Sequence, residues 1–182
     1  MQIKLKLNKF LLYALVLVLS GLAGYYFFAA FDRVPAKKES KIFYSVIEVI
    51  DGDTIKSEVN GKVENIRLIG IDTPEIAGPY REEGCFGQEA SLKTKELLSG
   101  KKVSLVSDAS VSDRDKYGRL LRYVFLPDGE FINAELVKGG YAFNYAYENF
   151  QYLNYFNDLE KQAKEGRLGL WGSGCDYYFE TR

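Results

Sequence analysis

The 182-residue sequence contains no histidine. This absence excludes Ser-His-Asp hydrolases, nucleases with histidine metal ligands and ribonucleases that transfer protons through imidazole. Lysine, arginine, carboxylates, hydroxyls, thiols and any bound metal remain as chemical tools. The 47% hydrophobic and 15% aromatic content indicates a folded chain, and the length suits one domain with its own core.

Cysteine is scarce, with only Cys85 and Cys175 in the chain. A metal site needs more ligands than two lone thiols, and neither residue has a neighbour that would make it a nucleophile. In an exported chain an even count favours a single structural disulfide. Such a bridge would close a loop of about 90 residues, which the chain-entropy model values at roughly 4–5 kcal/mol.

Basic residues are in short supply beyond the N-terminus. Six of the 24 basic residues and two of the 25 acidic residues lie before residue 40, which leaves 18 basic and 23 acidic residues and a net charge of −5. An acidic domain lacks the broad positive surface of a non-specific nucleic-acid binder, so we expect no tight passive binding of polynucleotide. An enzyme is less affected, because a bound cation and a few arginines supply positive charge locally.

An uncharged apolar run occupies residues 10–31, after a basic segment at residues 1–9. As a helix at about 1.5 Å per residue, the run would extend roughly 33 Å, enough to cross a bilayer. Residues 32–41 have the polar composition of a tether, and residues 42–182 form the expected folded domain. The pattern predicts a single-pass signal anchor in the cell membrane, with the domain on the extracytoplasmic side.

A cleavable signal peptide is the alternative interpretation of the same run. Gly21-Leu22-Ala23 offers small residues of the kind found at cleavage sites. The apolar character continues through residues 25–31, which favours an uncleaved anchor. Cleavage would instead give a secreted protein.

The central part of the chain has the pattern of short strands with tight turns. Residues 45–71 carry β-branched residues interrupted by Asp51-Gly52 and by the stronger hairpin signal Asn60-Gly61. Residues 103–106 and 120–126 indicate two more strands. The five strands predict a small, closed, antiparallel barrel.

Three helices are predicted around these strands, at residues 88–99, 131–138 and 149–165. Each ends at glycine, which favours a helix C-terminus. The apolar stripe of the third helix and Trp171 are interpreted as core contacts rather than cofactor contacts. The predicted class is therefore α+β.

Four short segments carry the chemistry: residues 51–54 (Asp-Gly-Asp-Thr), 66–70 (Ile-Arg-Leu-Ile-Gly), 72–75 (Asp-Thr-Pro-Glu) and 115–119 (Asp-Lys-Tyr-Gly-Arg). Each alone is compatible with an ordinary turn or strand end. Together they supply two carboxylates for a hard cation, a third to act on water, and two guanidiniums to bind phosphate. This set favours metal-assisted hydrolysis of a phosphodiester, and its members are Asp53, Arg67, Asp72, Glu75 and Arg119.

The order of these segments resembles the thermonuclease, or staphylococcal-nuclease-like, family. Segments 134–137 (Ala-Glu-Leu-Val) and 169–171 (Gly-Leu-Trp) extend the resemblance, which covers about residues 44–173. It implies an OB-type, five-stranded, Greek-key barrel with three helices. It also implies a Ca²⁺-dependent endonuclease that hydrolyses DNA and RNA to products with 5′-hydroxyl and 3′-phosphate ends.

The resemblance also implies a role for each charged residue. Asp53 and Asp72 would ligate Ca²⁺, with help from the carbonyl of Thr73. Glu75 would orient or deprotonate the attacking water. The phosphate would be bound, and its transition-state charge stabilised, by Arg67 and Arg119.

One geometric condition accompanies these roles. Arg67 and Asp72 are five residues apart, so a straight strand would separate them by roughly 16 Å and place them on opposite faces. They can reach one phosphate only if the chain bends. Gly70 is the expected position of that bend.

Tyr145 and Tyr147 are candidates for contact with a base or a phosphate. The chain has 14 tyrosines, so ordinary packing is the competing interpretation for either one. The expected partners are single-stranded or frayed DNA or RNA and, through residues 10–31, a membrane. The protein is expected to be a monomer.

A non-catalytic OB-fold module that binds nucleic acid is the alternative function. A binder has no need of a water-activating carboxylate, so Glu75 disfavours it. A surface protein without any role in nucleic-acid chemistry is disfavoured by the whole set of charged residues.

Overall fold

A computed structural model describes residues 41–78, 82–146, 149–172 and 174–175. The basic segment, the apolar run at residues 10–31 and the tether up to residue 40 lie outside the described residues. Within the described ranges, none of the helices combines the length and the apolar character needed to cross a bilayer.

Five strands close into a barrel in the order β1-β2-β3-β6-β5. Their bounds are Tyr44–Val49 (β1), Thr54–Val59 (β2), Lys62–Leu68 (β3), Lys102–Val106 (β5) and Leu120–Phe125 (β6). Two short strands, Ile71–Asp72 (β4) and Phe143–Asn144 (β7), pair as a separate two-stranded sheet. The prediction of a five-stranded barrel is confirmed.

The prediction that the barrel is antiparallel throughout is wrong at one seam. β3 and β6 run parallel, with Ile66 opposite Leu120. The reason is topological, because an odd number of strands cannot alternate in direction all the way around a closed ring. β5 is antiparallel to both β1 and β6, so the single mismatch falls between β6 and β3.

The predicted hairpin at Asn60-Gly61 joins β2 to β3 in direct register, with Val59 opposite Lys62. Both turn residues have positive φ, 52° at Asn60 and 77° at Gly61, as a two-residue type I′ loop requires. Local turn chemistry therefore fixes the register of the two strands.

Three helices pack on the barrel: Gly87–Leu98 (α1), Ile132–Lys138 (α2) and Leu153–Glu165 (α3). A 3-10 helix follows at Gly169–Trp171. The first two predicted helices agree with the structure within one residue at each end. The third prediction began four residues too early, at residue 149.

The segment before α3 is held by tertiary contacts that a helix would break. Phe150 is buried in the main core. The backbone N–H of Gln151 donates to the buried carboxylate of Asp108, with 2.7 Å between Gln151 N and Asp108 Oδ2. The helix therefore begins only beyond Phe150 and Gln151, at Leu153.

A buried asparagine at the start of α2 forms hydrogen bonds to the barrel near the end of β3. Asn133 accepts the N–H of Val124 at 2.9 Å and donates through Nδ2 to the carbonyl of Ile69 at 2.9 Å. Because Ile69 follows β3 directly, these bonds also hold the exit of that strand. The predicted packing of Trp171 is observed, in a small cluster with Ala163 and Leu170.

Candidate active site

Gly70 turns the chain between β3 and β4. Its φ is 74°, a conformation that favours glycine. A Cβ at this position would lie 2.6 Å from the ring of Phe150, so any side chain here would also collide with the core. The bend expected from the spacing of Arg67 and Asp72 is confirmed, and Arg67 Nη2 lies 3.0 Å from Asp72 Oδ1.

Arg67 is the centre of the acidic side of the site. Its Nη2 also contacts Asp53 Oδ2 at 3.2 Å, and its side chain is 14% exposed. Its Nη1 donates to the carbonyl oxygens of Leu68 at 2.9 Å and Ile71 at 2.6 Å. The strand bend thus provides both the carboxylate and the carbonyls that fix the guanidinium.

Asp53 is buried, and both oxygens of its carboxylate accept hydrogen bonds. Oδ2 accepts the backbone N–H of Thr73 at 3.0 Å and the Thr73 hydroxyl at 3.2 Å, while Oδ1 accepts the Thr54 hydroxyl at 2.9 Å. The structure therefore brings Asp53, Arg67, Asp72 and Thr73 together.

Arg119, the residue directly before β6, joins the same network. Its Nη1 donates to Thr54 Oγ1 at 3.2 Å, and Thr54 in turn donates to Asp53. Its Nε donates to Asp115 Oδ2 at 2.7 Å. The two arginines are thus linked through one threonine and one aspartate.

Asp115 was not assigned a role from the sequence, although it lies in the segment that carries Arg119. Its Oδ1 accepts the backbone N–H groups of Tyr117 at 2.9 Å and Arg119 at 3.0 Å, which shapes the turn. Burial opposes the charge of Asp115, but hydrogen bonds from the Arg119 side chain and from these backbone groups lower its pKa overall. Its position four residues before an arginine, at the start of a turn, was the signal for this role.

Glu75 lies exposed after Pro74, on the segment that follows β4. Its carbonyl oxygen accepts the backbone N–H of Gly84 at 2.8 Å. The pKa of Asp51 is raised to about 6, first by burial and then by the charge of Asp53. The charge of Glu75 adds to this rise. Negative charge is therefore concentrated between Asp51, Asp53 and Glu75.

This side of the site fits a hard cation. Asp53 and Asp72 present carboxylate oxygens to the same Arg67 Nη2, and oxygen ligands are what Ca²⁺ prefers. After burial, the negative charge of Asp53 is the next cause of the raised pKa of Asp51, and a cation would offset that charge. Among the residues that the structure describes, no group of three or more His, Cys, Asp or Glu side chains is arranged to hold a metal. A cation here would thus depend on two carboxylates, the Thr73 carbonyl, water and substrate.

A cleft of about 550 Å³ lies between the two arginines. Arg67, Asp72 and Arg119 line it together with Lys116 and Tyr117. The Tyr117 ring is 72% exposed, and its centroid lies 5.5 Å from Arg119 Cζ and 5.0 Å from Lys116 Nζ. This aromatic and basic rim was not recognised from the sequence, although its residues lie between Asp115 and Arg119.

Tyr145 also lines the cleft, beside the bend. Its side chain is exposed, and its backbone N–H donates to the Gly70 carbonyl at 2.9 Å. Tyr147 lies outside the described residues. The structure thus places one of the two candidate tyrosines next to the site.

Comparison with known proteins finds a family profile and several relatives. The sequence profile described as Staphylococcal nuclease homologue matches residues 65–173. The Thermonuclease of Staphylococcus hyicus is 40% identical over 131 residues, which cover 71% of this chain and 76% of that protein. Endonuclease YncB of Bacillus subtilis is 39% identical over 139 residues, 75% of this chain and 65% of that protein. An uncharacterized protein of Methanocaldococcus jannaschii is 39% identical over 145 residues, 69% of this chain and 70% of that protein.

Proposed function

The chain belongs to the staphylococcal nuclease homologue family, and we propose that it is a Ca²⁺-dependent endonuclease that hydrolyses DNA and RNA to 3′-phosphate products. The observation that carries this proposal is the network beside the cleft, in which Arg67 contacts Asp53 directly and Arg119 is joined to the same carboxylate through Thr54. Relatives named as a thermonuclease and an endonuclease support the same reaction class.

The carboxylates of Asp53 and Asp72 and the carbonyl of Thr73 would hold Ca²⁺, which when bound supplies positive charge to the phosphate. Arg67 and Arg119 bind the phosphate oxygens, for which a planar guanidinium is geometrically suited. Both side chains are fixed by carboxylates before substrate arrives, so little reorganisation is needed in the transition state.

Glu75 acts on water. As an exposed carboxylate next to the acidic cluster, it accepts a proton from the attacking water and orients that water toward phosphorus. A bond forms between the water oxygen and phosphorus, the bond to the 5′ oxygen breaks, and that oxygen takes a proton from solvent to give the 5′-hydroxyl end. The phosphate then remains on the 3′ oxygen of the upstream fragment.

The cleft favours a substrate with accessible bases. Tyr117 and Tyr145 lie exposed at its rim, where they can stack on bases of a single or frayed strand. The net charge of −5 beyond residue 39 supports weak rather than tight passive binding of polynucleotide. The protein is proposed to act as a monomer.

We further propose that the domain is held outside the cell membrane. The apolar run at residues 10–31 and the paired cysteines support export to an oxidising compartment. Detection of the intact chain in the membrane fraction is expected. A soluble extracellular protein that begins near residue 24 would instead support the cleaved signal peptide.

The direct test is digestion of single-stranded DNA and RNA by the full chain, in Ca²⁺ and in excess chelator. Cleavage in Ca²⁺ with 3′-phosphate ends, and its loss in chelator, is expected. Oligonucleotide that binds in Ca²⁺ without being cut would favour the non-catalytic OB-fold module. Cleavage that persists in chelator would overturn the metal requirement alone.

A further inference from the structure

The backbone of Glu75 is enclosed by the chain that leads into α1. The Gly84 N–H donates to the Glu75 carbonyl oxygen at 2.8 Å. A Cβ at Gly84 would lie 2.9 Å from Pro74 Cβ and 3.1 Å from Glu75 N, and a Cβ at Gly87 would collide with the Glu75 carbonyl oxygen. Two glycines thus allow residues 84–87, here named the clasp, to lie directly against Glu75.

The clasp also contains a hydrogen bond between its own two ends. The N–H of Gly87 donates to the carbonyl of Gly84 at 2.9 Å, and Phe86 between them has a φ of 69°. Such a conformation is uncommon outside glycine and persists only where the surroundings enforce it. Something must therefore hold the clasp in place.

Two attachments connect the clasp to the C-terminal part of the domain. Cys85 forms a disulfide with Cys175, with 5.8 Å between the two Cα atoms. Phe86 packs against the buried cluster of Ala163, Leu170 and Trp171. One attachment is covalent and the other is apolar packing.

We propose that the Cys85–Cys175 disulfide positions Glu75 for its action on water. The bridge holds the clasp, and the clasp holds the backbone of Glu75. The position of the Glu75 carboxylate depends on that backbone. Neither cysteine lines the cleft between the arginines. Loss of the bridge therefore affects the water-activating step more than phosphate binding, an inference that rests on the nuclease function proposed above.

The bond can be opened by a dithiol reagent. Two electrons and two protons from the dithiol convert the cystine into the thiols of Cys85 and Cys175, and the reagent becomes its cyclic disulfide. Cys85 is exposed, which gives the reagent access. Because the packing of Phe86 on its cluster does not require the bridge, we expect reduction to give a loosened clasp in a folded domain.

The test compares the oxidised full chain with the same protein reduced by dithiothreitol and alkylated with iodoacetamide. A Cys85→Ser/Cys175→Ser variant provides a bridge-free form without the added groups. We expect kcat in Ca²⁺ to fall about tenfold or more with KM changed less than twofold, because a misplacement of about 1 Å can cost up to 10²-fold. Thermal unfolding by circular dichroism confirms that the assay temperature lies below the transition.

A second comparison separates positioning from general loosening. In Glu75→Gln the group that the clasp positions is already removed, so reduction is expected to leave the residual rate unchanged within twofold. Equal kcat for oxidised and reduced folded protein would overturn the proposal, and so would an equal fall in wild type and Glu75→Gln. An oxidised protein that cleaves no substrate in Ca²⁺ would instead contradict the proposed function itself.

Discussion

At the scale of single residues, the site depends on carboxylates that fix arginines. Asp53 and Asp72 hold Arg67, and Asp115 holds Arg119. A guanidinium that is already oriented loses less entropy when phosphate binds, so we expect the acidic partners to contribute to catalysis without touching substrate. Asp115 offers a clean test of this idea, since it pairs with Arg119 and is not one of the residues proposed to hold Ca²⁺.

Replacement of Asp115 by asparagine is expected to lower kcat/KM about tenfold. The substitution removes the charge that orients Arg119 but keeps one acceptor for the turn, and charge-assisted hydrogen bonds contribute about 1.5–3 kcal/mol. Steady-state cleavage of an oligonucleotide in Ca²⁺ measures the effect.

Asp113→Asn is the matched control, because Asp113 pairs with Arg122 rather than with Arg119. Its activity is expected to stay within twofold of wild type. Equal losses in the two variants would mean that the loop as a whole, and not the Asp115–Arg119 pair, is responsible.

At the scale of elements, the bend between β3 and β4 assembles the acidic half of the site. Replacement of Gly70 by alanine is expected to cost more than about 2 kcal/mol of unfolding free energy, since a positive φ costs about 1–2 kcal/mol and the new Cβ collides with Phe150. Activity is expected to fall with stability, because the bend sets the distance from Arg67 to Asp72. Urea denaturation and the cleavage assay measure the two effects.

Gly61→Ala is the control for this bend. Gly61 has nearly the same φ, 77°, but nothing lies within 4 Å of the added Cβ, and the hairpin is remote from the cleft lining. It is expected to cost about 1 kcal/mol and no activity. If Gly70→Ala behaves like Gly61→Ala, the bend is not what places Arg67 and Asp72 together.

Much of the element structure could be predicted because it is locally encoded. Asn60-Gly61 specifies a hairpin by its own turn chemistry, and the spacing from Arg67 to Asp72 required a bend at Gly70. The start of α3 could not be predicted, because Phe150 and Gln151 are held by residues 80 and 43 positions earlier in the chain. The spacing of apolar residues along a helix does not indicate such long-range contacts.

The same distinction applies to the site. Motifs predicted five charged positions, since each lies in a short segment of distinctive composition, and the structure brings four of them, Asp53, Arg67, Asp72 and Arg119, into one network. The motifs did not identify Thr54 as the link to Arg119, because that contact joins residues 65 positions apart. Only closure of the barrel, with β6 parallel to β3, brings them together.

At the scale of the whole molecule, Asp108 ties three parts of the domain to each other. Its carboxylate accepts hydrogen bonds from Ser110, from the Tyr123 hydroxyl at 2.5 Å and from the backbone of Gln151. Burial opposes its charge, but these bonds prevail and lower the pKa of Asp108 to about 2 from an ordinary 3.8. The residue therefore connects the chain beyond β5, strand β6 and the approach to α3.

Asp108 is expected to make the domain sensitive to acid. A carboxyl with a lowered folded-state pKa stabilises fully above about pH 4 and loses that contribution as the pH falls toward 2. The shift corresponds to about 2 kcal/mol. Between pH 5 and 2, wild type should lose about that much more unfolding free energy than Asp108→Asn, as measured by urea denaturation at each pH. Parallel pH curves for the two proteins would contradict this assignment.

We propose that the cleft between Arg67 and Arg119 hydrolyses phosphodiesters. The most direct measurement is kcat/KM for an oligonucleotide in Ca²⁺ for wild type, Arg119→Ala and Lys138→Ala. Lys138 lies at the end of α2 outside the cleft lining, so its variant loses the same charge without touching the site. We expect Arg119→Ala to lose about 10²–10³ in rate, as for other preorganised donors, and Lys138→Ala to match wild type. Wild-type turnover in Arg119→Ala would contradict the assignment of this cleft as the active site.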